Sequence, residues 1–242
     1  MDELAFLRAL HRPGTIVDVG AHDGALTVPL AGLPGAKVVA FEPLPPAFAR
    51  LRAAVAGLPE GSSVELRPQA LGVGPGRLSL EAPVIGGILR EQWASVAKDY
   101  AAIAAADPRV ERIERWEVEV IALDSLGLTD VTAMKLDAEG AEEEVLRGAE
   151  ATLRRCRPVL TVEIEERHRA GSTVAVPALL AGLGYRGFLE LDGAWRAIGD
   201  FDAATMQVAS VSPASFEASD PYVFVFAFLP EERLREGGLH LP

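Results

Sequence analysis

Short apolar runs alternate with stretches of helical period along most of the chain. Thr15 to Val19 is a run of strand length bounded by Gly14 and Gly20, and a helical stretch from about Ala25 to Leu33 follows. Lys37 to Phe41 is a second such run. Pro45 to Ala56 places Phe48, Leu51 and Val55 at helical spacing, which predicts a helix with one apolar face. Val64 to Leu66, Val131 to Leu136 and Pro158 to Ile164 read as further strands, the last two separated by a helix over about Glu142 to Arg154. These runs are continuously apolar, the mark of strands buried on both faces. Strands alternating with helices predict βαβ units, hence an α/β fold whose mostly parallel sheet carries helices on both faces.

Two regions break the alternation. Gly76 to Leu80 and Trp116 to Leu123 read as extra strands flanking a helical insertion over about Arg90 to Ala106, whose Ala-rich end from Tyr100 favours helix. Toward the C-terminus, Tyr185 to Leu191 and Tyr222 to Leu229 are strands. The long stretch joining them is the place for a hairpin or a site-covering segment. No internal repeat appears. The expected organisation is a single domain over residues 1–242, with an N-terminal helix over 1–13 and an insertion over 84–115 that can serve as a lid.

Composition narrows the picture. The 242 residues, 49% of them hydrophobic, are enough to bury a core. The net charge of -12 counts against nucleic-acid partners and anionic membranes, which need a positive surface. The lone cysteine, Cys156, permits no internal disulfide, and with no histidine near it in sequence it reads as packing. Met1-Asp2-Glu3 is acidic where a secretion signal is basic, and no apolar run reaches the roughly 20 residues of a membrane span, so a cytoplasmic protein is expected. Arginine far outnumbers lysine, a hint of a GC-rich bacterial genome.

The strongest local signal is Val17-Asp18-Val19-Gly20-Ala21-His22-Asp23-Gly24, a buried strand ending in an acid and turning through glycines into a helix. In open parallel sheets, ligands bind beyond the carboxyl ends of the strands. The next strand ends Phe41-Glu42-Pro43, and a carboxylate at that tip suits a ribose diol because it accepts two hydroxyl hydrogen bonds. A dinucleotide fingerprint wants glycine where His22 stands, and the charges of Asp18 and Asp23 repel a pyrophosphate. An acid-rich turn suits a cationic, phosphate-free ligand, and S-adenosylmethionine has that chemistry. The third strand leads into Gln69 and Ala70, the expected place for adenine contacts by side chain or backbone.

The second strong segment runs from Ala133 to Glu142. Lys135, Asp137 and Glu139 alternate toward one side as the strand exits, and a lysine inside a central strand needs an acid beside it. Asp137 is expected next to the Asp18 tip, near the reacting group. Glu142 and Glu143 read as helix-start acids that favour the dipole. Glu163 ends the fifth strand as a second carboxylate, and His168 follows; either is a candidate base for a hydroxyl. Asp137, Glu139, Glu163 and Glu165 are oxygen ligands of the kind Mg²⁺ takes, but nothing in the spacing makes them converge, so no metal ligand is assigned.

These residues resemble the FkbM family of S-adenosylmethionine-dependent methyltransferases. The likeness rests on Val17 to Gly24, Val39 to Pro43, Leu123-Asp124-Ser125-Leu126 and Lys135 to Gly148, with Arg157-Pro158, Glu163-Ile164 and Leu183 to Arg186 also similar. It covers about residues 15–230. It implies the class I methyltransferase fold, a Rossmann-like seven-stranded sheet with the last strand, Tyr222 to Leu229, antiparallel. It also implies cofactor or active-site roles for Asp18, Gly20, Gly24, Glu42 and Asp137. The family pattern carries Asn where this chain has His22, and a shorter insertion. Family members mostly methylate hydroxyls on natural products, sugars and glycolipid-like acceptors. The function expected is O-methylation of a small-molecule, sugar or lipid-like acceptor. The rivals are a nicotinamide-dependent oxidoreductase, which shares the strand-turn-helix, and a non-catalytic methyltransferase-fold binding module.

Overall fold

A computed structural model describes residues 1–91, 100, 104–105, 107–209 and 220–235. The chain opens with helix α1 (Glu3–Ala9), capped where Asp2 Oδ1 accepts the Ala5 N–H at 3.0 Å. Next come β1 (Gly14–Val19), α2 (Thr27–Ala31), β2 (Ala36–Phe41), α3 (Pro45–Ala56) and β3 (Ser63–Arg67). A second, smaller sheet follows, built from β4 (Ala70–Leu71), β5 (Gly76–Ile85), β6 (Ile88–Leu89) and β7 (Val110–Ile121). The main sheet resumes with β8 (Val131–Leu136), α4 (Glu142–Arg147), α5 (Glu150–Cys156), β9 (Val159–Glu163), α6 (Ser172–Gly182), β10 (Tyr185–Leu191) and β11 (Ala194–Ala197). The described chain closes with α7 (Ala203–Met206), β12 (Val225–Pro230) and α8 (Glu231–Arg235).

The main sheet is eight-stranded, in the order β11-β10-β12-β9-β8-β1-β2-β3. The β1–β2, β2–β3, β1–β8 and β8–β9 pairs are parallel, whereas β12 runs antiparallel between β9 and β10. The antiparallel last strand is as expected. The count is corrected from seven to eight by β11, which folds back on β10 as a hairpin inside the long C-terminal connection. β11 is only four residues long, Ala-Trp-Arg-Ala, and mostly exposed, so it carries no buried apolar run.

Alternate residues feed two cores. Val17, Met134, Leu136, Leu160 and Val162 face α4, α5 and α6, while Ile16, Val38, Ala133 and Val159 pack with Phe6 and Leu7 of α1 and with Leu30 and Leu51. Burial on both faces is why these strands are apolar throughout. Two expected elements differ in extent. The helix expected to Arg154 breaks at Gly148, where the backbone approaches so closely that an added Cβ would lie 1.8 Å from the Gly72 carbonyl oxygen. The 84–115 insertion is strand at both ends: β5 and β7 pair antiparallel from Gly76↔Val120 to Ile85↔Val110. Of the helix expected over 90–106, Tyr100, Ala104 and Ala105 are helical, and most of the rest lies outside the described residues.

β1 sits between β2 and β8, where the order of connection reverses direction. That switch point opens a crevice at the carboxyl ends of the strands.

Candidate active site

The crevice is organised by strand register. Asp18 lies opposite Lys135, and Lys135 opposite Thr161, so the three side chains form a polar row on the face covered by α1. Asp18 and Thr161 are 0% exposed and Lys135 is 5% exposed. Two residues further along, at the strand tips, Asp137 and Glu163 take the same face. Polar groups buried to this degree persist only with partners. The Lys135 ammonium donates to the Gly20 carbonyl at 2.9 Å and the Val19 carbonyl at 3.3 Å, and lies 3.4 Å from Asp137 Oδ2. Burial alone would lower the Lys135 pKa, but Asp137, Asp18, Glu163 and Glu3 together hold it above its ordinary value. Burial pushes the Asp18 carboxyl up against the opposing pull of Lys135 and of a 2.5 Å hydrogen bond from the Thr27 hydroxyl. Glu163 is driven well up by burial and by Asp137.

The glycine turn is shaped for close approach. Gly20 has φ 73°, and an added Cβ would stand 2.1 Å from the Asp137 carbonyl oxygen, so only glycine lets the β1 and β8 tips meet. His22 also takes a left-handed φ of 50°, which aims its N–H at Glu42 Oε2 at 2.8 Å. Glu42 Oε1 accepts the Leu44 N–H, also at 2.8 Å. The carboxylate is therefore fixed by backbone donors, while each oxygen keeps a lone pair for a hydroxyl. Burial raises the Glu42 pKa against those two hydrogen bonds. The His22 ring stands beside an Arg50–Glu91 ion pair, its Nε2 3.5 Å from Glu91 Oε2.

These groups converge on one cavity of about 310 Å³, within the range of small-molecule sites. Asp18, Gly20, His22, Glu42, Pro43, Asp137 and Glu163, all singled out in the sequence, line it. A second, apolar slot of about 70 Å³ adjoins it beside Gly20, Pro43 and Asp137, walled by Phe41, Leu71, Leu78, Leu80 and Val145, with Gln69 and Ala70 on its rim. Gln69 Oε1 is buried there with no hydrogen-bond partner, while its amide nitrogen is 3.2 Å from Glu119.

Several expected site residues lie elsewhere. Gly24 supports the turn from behind, packed against Leu51 of α3. His168, a candidate base, lines a separate groove beside Gly140 rather than this cavity. Its Nε2 is 3.1 Å from Glu139 and 3.5 Å from Glu165, so it braces Glu139, which does reach the cavity. Glu165 is ion-paired with Arg167 away from the cavity, and among the described residues no three His, Cys, Asp or Glu side chains are grouped to hold a metal ion. Glu142 does more than favour the helix dipole. It is 3% exposed, and its Oε1 accepts the Ala138 and Gly140 N–H groups at 3.1 and 2.9 Å, clamping the loop that carries Asp137. Burial pushes the Glu142 carboxyl up to about 7. Cys156 packs against the core with Sγ 3.6 Å from the Leu128 carbonyl.

The sequence reading missed Glu3, Leu80 and Glu91 as cavity walls and treated Lys135 only as a paired strand residue. Lys135 announced itself as a lone cation in an apolar strand. Glu3 gave no signal, because only the docking of α1 brings it to the strand tips.

The arrangement fits an S-adenosyl group by its donor and acceptor chemistry. Asp18 Oδ1 is buried without a partner in the cavity wall, so the crevice presents unsatisfied negative groups of the kind that hold an ammonium or a sulfonium. Glu42 is set for a ribose diol, and the orphaned Gln69 oxygen matches an exocyclic amine in a flat apolar slot.

Comparison with known proteins bears on the same region. The structure is similar to that of the FkbM methyltransferase from Methylobacillus flagellatus KT, with 16% identity and a TM-score of 0.56, over 91% of this chain and 45% of that one. The chain thus spans less than half the length of that relative. A precorrin-6y C5,15-methyltransferase from Geobacter metallireducens GS-15 is similar at 12% identity and a TM-score of 0.49, over 93% of this chain and 84% of the other. No curated protein matches. No helix among the described residues is long and apolar enough to cross a membrane. The model of the methyltransferase FkbM domain matches residues 18–187, from the buried acid of β1 through the β8 and β9 tips to β10, and on that match the chain belongs to the FkbM family of S-adenosylmethionine-dependent methyltransferases.

Proposed function

We propose that the protein methylates a hydroxyl of a small-molecule, sugar or lipid-like acceptor, with the cavity at the Gly20 turn as its site. One observation carries this reading: Asp18, Glu42, Asp137 and Glu163 come from four different strand tips to one cavity that also holds an orphaned buried carboxylate oxygen. S-adenosylmethionine, when bound, supplies an electrophilic methyl group on a sulfonium. Glu42 then holds the ribose hydroxyls, the apolar slot with Gln69 and Ala70 holds the adenine, and Asp18 and Asp137 face the positive end. Bound there, the cofactor would offer its methyl carbon to an acceptor oxygen and leave as the neutral thioether, and Glu163 would accept the hydroxyl proton. Burial and Asp137 raise the affinity of Glu163 for a proton, as a general base requires. Holding both reactants in line supplies about 7 to 11 kcal/mol of the barrier.

The test combines calorimetry with transfer of a labelled methyl group to a panel of hydroxyl acceptors. S-adenosylhomocysteine should bind wild type and Glu163→Gln alike, while transfer falls at least about 100-fold in Glu163→Gln. Absence of any binding heat with S-adenosylhomocysteine overturns the cofactor assignment. Transfer to amines and never to hydroxyls overturns the O-methylation assignment.

A further inference from the structure

Helix α1 lies outside the residues matched to the family, yet it delivers a further carboxylate to the cavity wall. Phe6 and Leu7 are 1% exposed and anchor α1 on the sheet, with Phe6 tilted against Trp195 at 5.4 Å between ring centroids. The start of the helix is thereby turned toward the strand tips, and Glu3 joins the cavity wall beside Asp18, Lys135, Asp137 and Glu163. Glu3 Oε1 is buried without a hydrogen-bond partner. The buried Thr161 hydroxyl lies beside the Glu3 carboxyl and offsets part of the burial that raises its pKa.

The charge balance is lopsided. Glu3, Asp18, Asp137 and Glu163 surround one cation, Lys135. That ammonium is already directed at the Val19 and Gly20 carbonyls and at Asp137. Two of the four acids, Glu3 and Asp18, keep a buried oxygen with no donor. Such oxygens are costly until a ligand supplies a positive or hydrogen-bonding group. A sulfonium meets that need and a thioether does not.

We propose that Glu3 is a charge-selectivity residue of this site, making it bind a cationic methyl donor in preference to its neutral demethylated product. This rests on the S-adenosylmethionine reading above. It goes further, because it assigns a role to a residue outside the family match and concerns how product is released. Transfer of the methyl group removes the positive charge that the carboxylates hold, so the spent cofactor is the weaker ligand and leaves. The site then carries an electrostatic bias against product inhibition.

The test uses the full chain and three probes that share the adenosyl and amino-acid ends: S-adenosylmethionine with its sulfonium, sinefungin with an amine in that place, and S-adenosylhomocysteine with a neutral sulfur. Dissociation constants are measured by calorimetry near pH 8, where carboxyls of raised pKa are more fully ionised. Wild type should bind both cations at least about fivefold more tightly than the thioether, a modest effect for one charge in a part-screened site. Glu3→Gln should bring that ratio at least about threefold closer to one while leaving the S-adenosylhomocysteine affinity within about twofold. Glu3→Asp should restore the preference, and Glu60→Gln, at an exposed acid before β3, should leave it intact. An unchanged ratio in Glu3→Gln overturns the proposal, as does equal loss of all three ligands in that variant, which would make Glu3 structural only. If wild type binds none of the three, the cofactor reading itself fails.

Discussion

Glu142→Gln probes the loop that carries Asp137. The glutamine keeps the oxygen that accepts the Ala138 and Gly140 N–H groups and removes only the charge. Burial is the main cause that lifts the native carboxyl from 4.5 to about 7, with Asp137 adding to it. A carboxyl held near 7 in the fold and near 4.5 in the unfolded chain corresponds to about 3 kcal/mol. The pKa is raised on folding, so the associated stability is fully present below pH 4.5, where the group is protonated in both states. It drains away as pH rises and is lost above pH 7, where both states are ionised. Glu142→Gln has no such titration. Relative to wild type it should therefore gain stability steadily across that window, by up to about 3 kcal/mol at pH 8. The cost of burying the new amide shifts the whole curve but not its slope. Urea unfolding of both proteins at several pH values between 4.5 and 8 measures the difference. A difference that stays flat across that range refutes the assignment of a buried, proton-holding Glu142.

Lys135→Met should cost about 3 to 5 kcal/mol, because it strips the cation that Asp18, Asp137, Glu163 and Glu3 surround. Part of that loss should be recovered on acidification, when Asp18, Glu163 and Glu3, whose carboxyls burial raises, take up protons, and unfolding at pH 7.5 and 5 compares the two. Gly20→Ala forces a Cβ into the Asp137 carbonyl and a side chain into a left-handed φ, so a large fall in melting temperature with loss of cofactor binding is expected. Gln69→Leu fills the rim of the apolar slot without its acceptor oxygen. S-adenosylhomocysteine should bind it about tenfold more weakly, with the folded-state melting curve nearly unchanged.

Much of this architecture was legible because the central strands are covered on both faces. Val131 to Leu136 and Pro158 to Ile164 could hardly be anything but buried strands, and the acids at their ends could only point into the crevice. The same logic made Asp18, Glu42, Asp137 and Glu163 visible, since a carboxylate closing an apolar strand is costly without a purpose. What failed depended on contacts distant in sequence. The β5–β7 ribbon ran further than expected because the charged residues of Val110 to Ile121 lie outward on an exposed ribbon, where alternation is weak evidence. The break at Gly148 comes from the backbone of Gly72, far away in the chain. His168 follows the β9 tip as a base would, and only the course of the Gly140 loop puts Glu139 between it and the cavity. Glu3 is seen only once Phe6 and Leu7 have docked.

In the proposed function, the negative crevice around Gly20 receives a cationic, phosphate-free adenosyl ligand. Competitive calorimetry with S-adenosylmethionine and NAD⁺, on wild type and Glu42→Gln, tests it most directly. Saturable binding of S-adenosylmethionine, weakened at least about tenfold in Glu42→Gln and indifferent to NAD⁺, is the expected result. Tight binding of NAD⁺ that displaces S-adenosylmethionine, or full S-adenosylmethionine affinity in the Glu42→Gln protein, would contradict it.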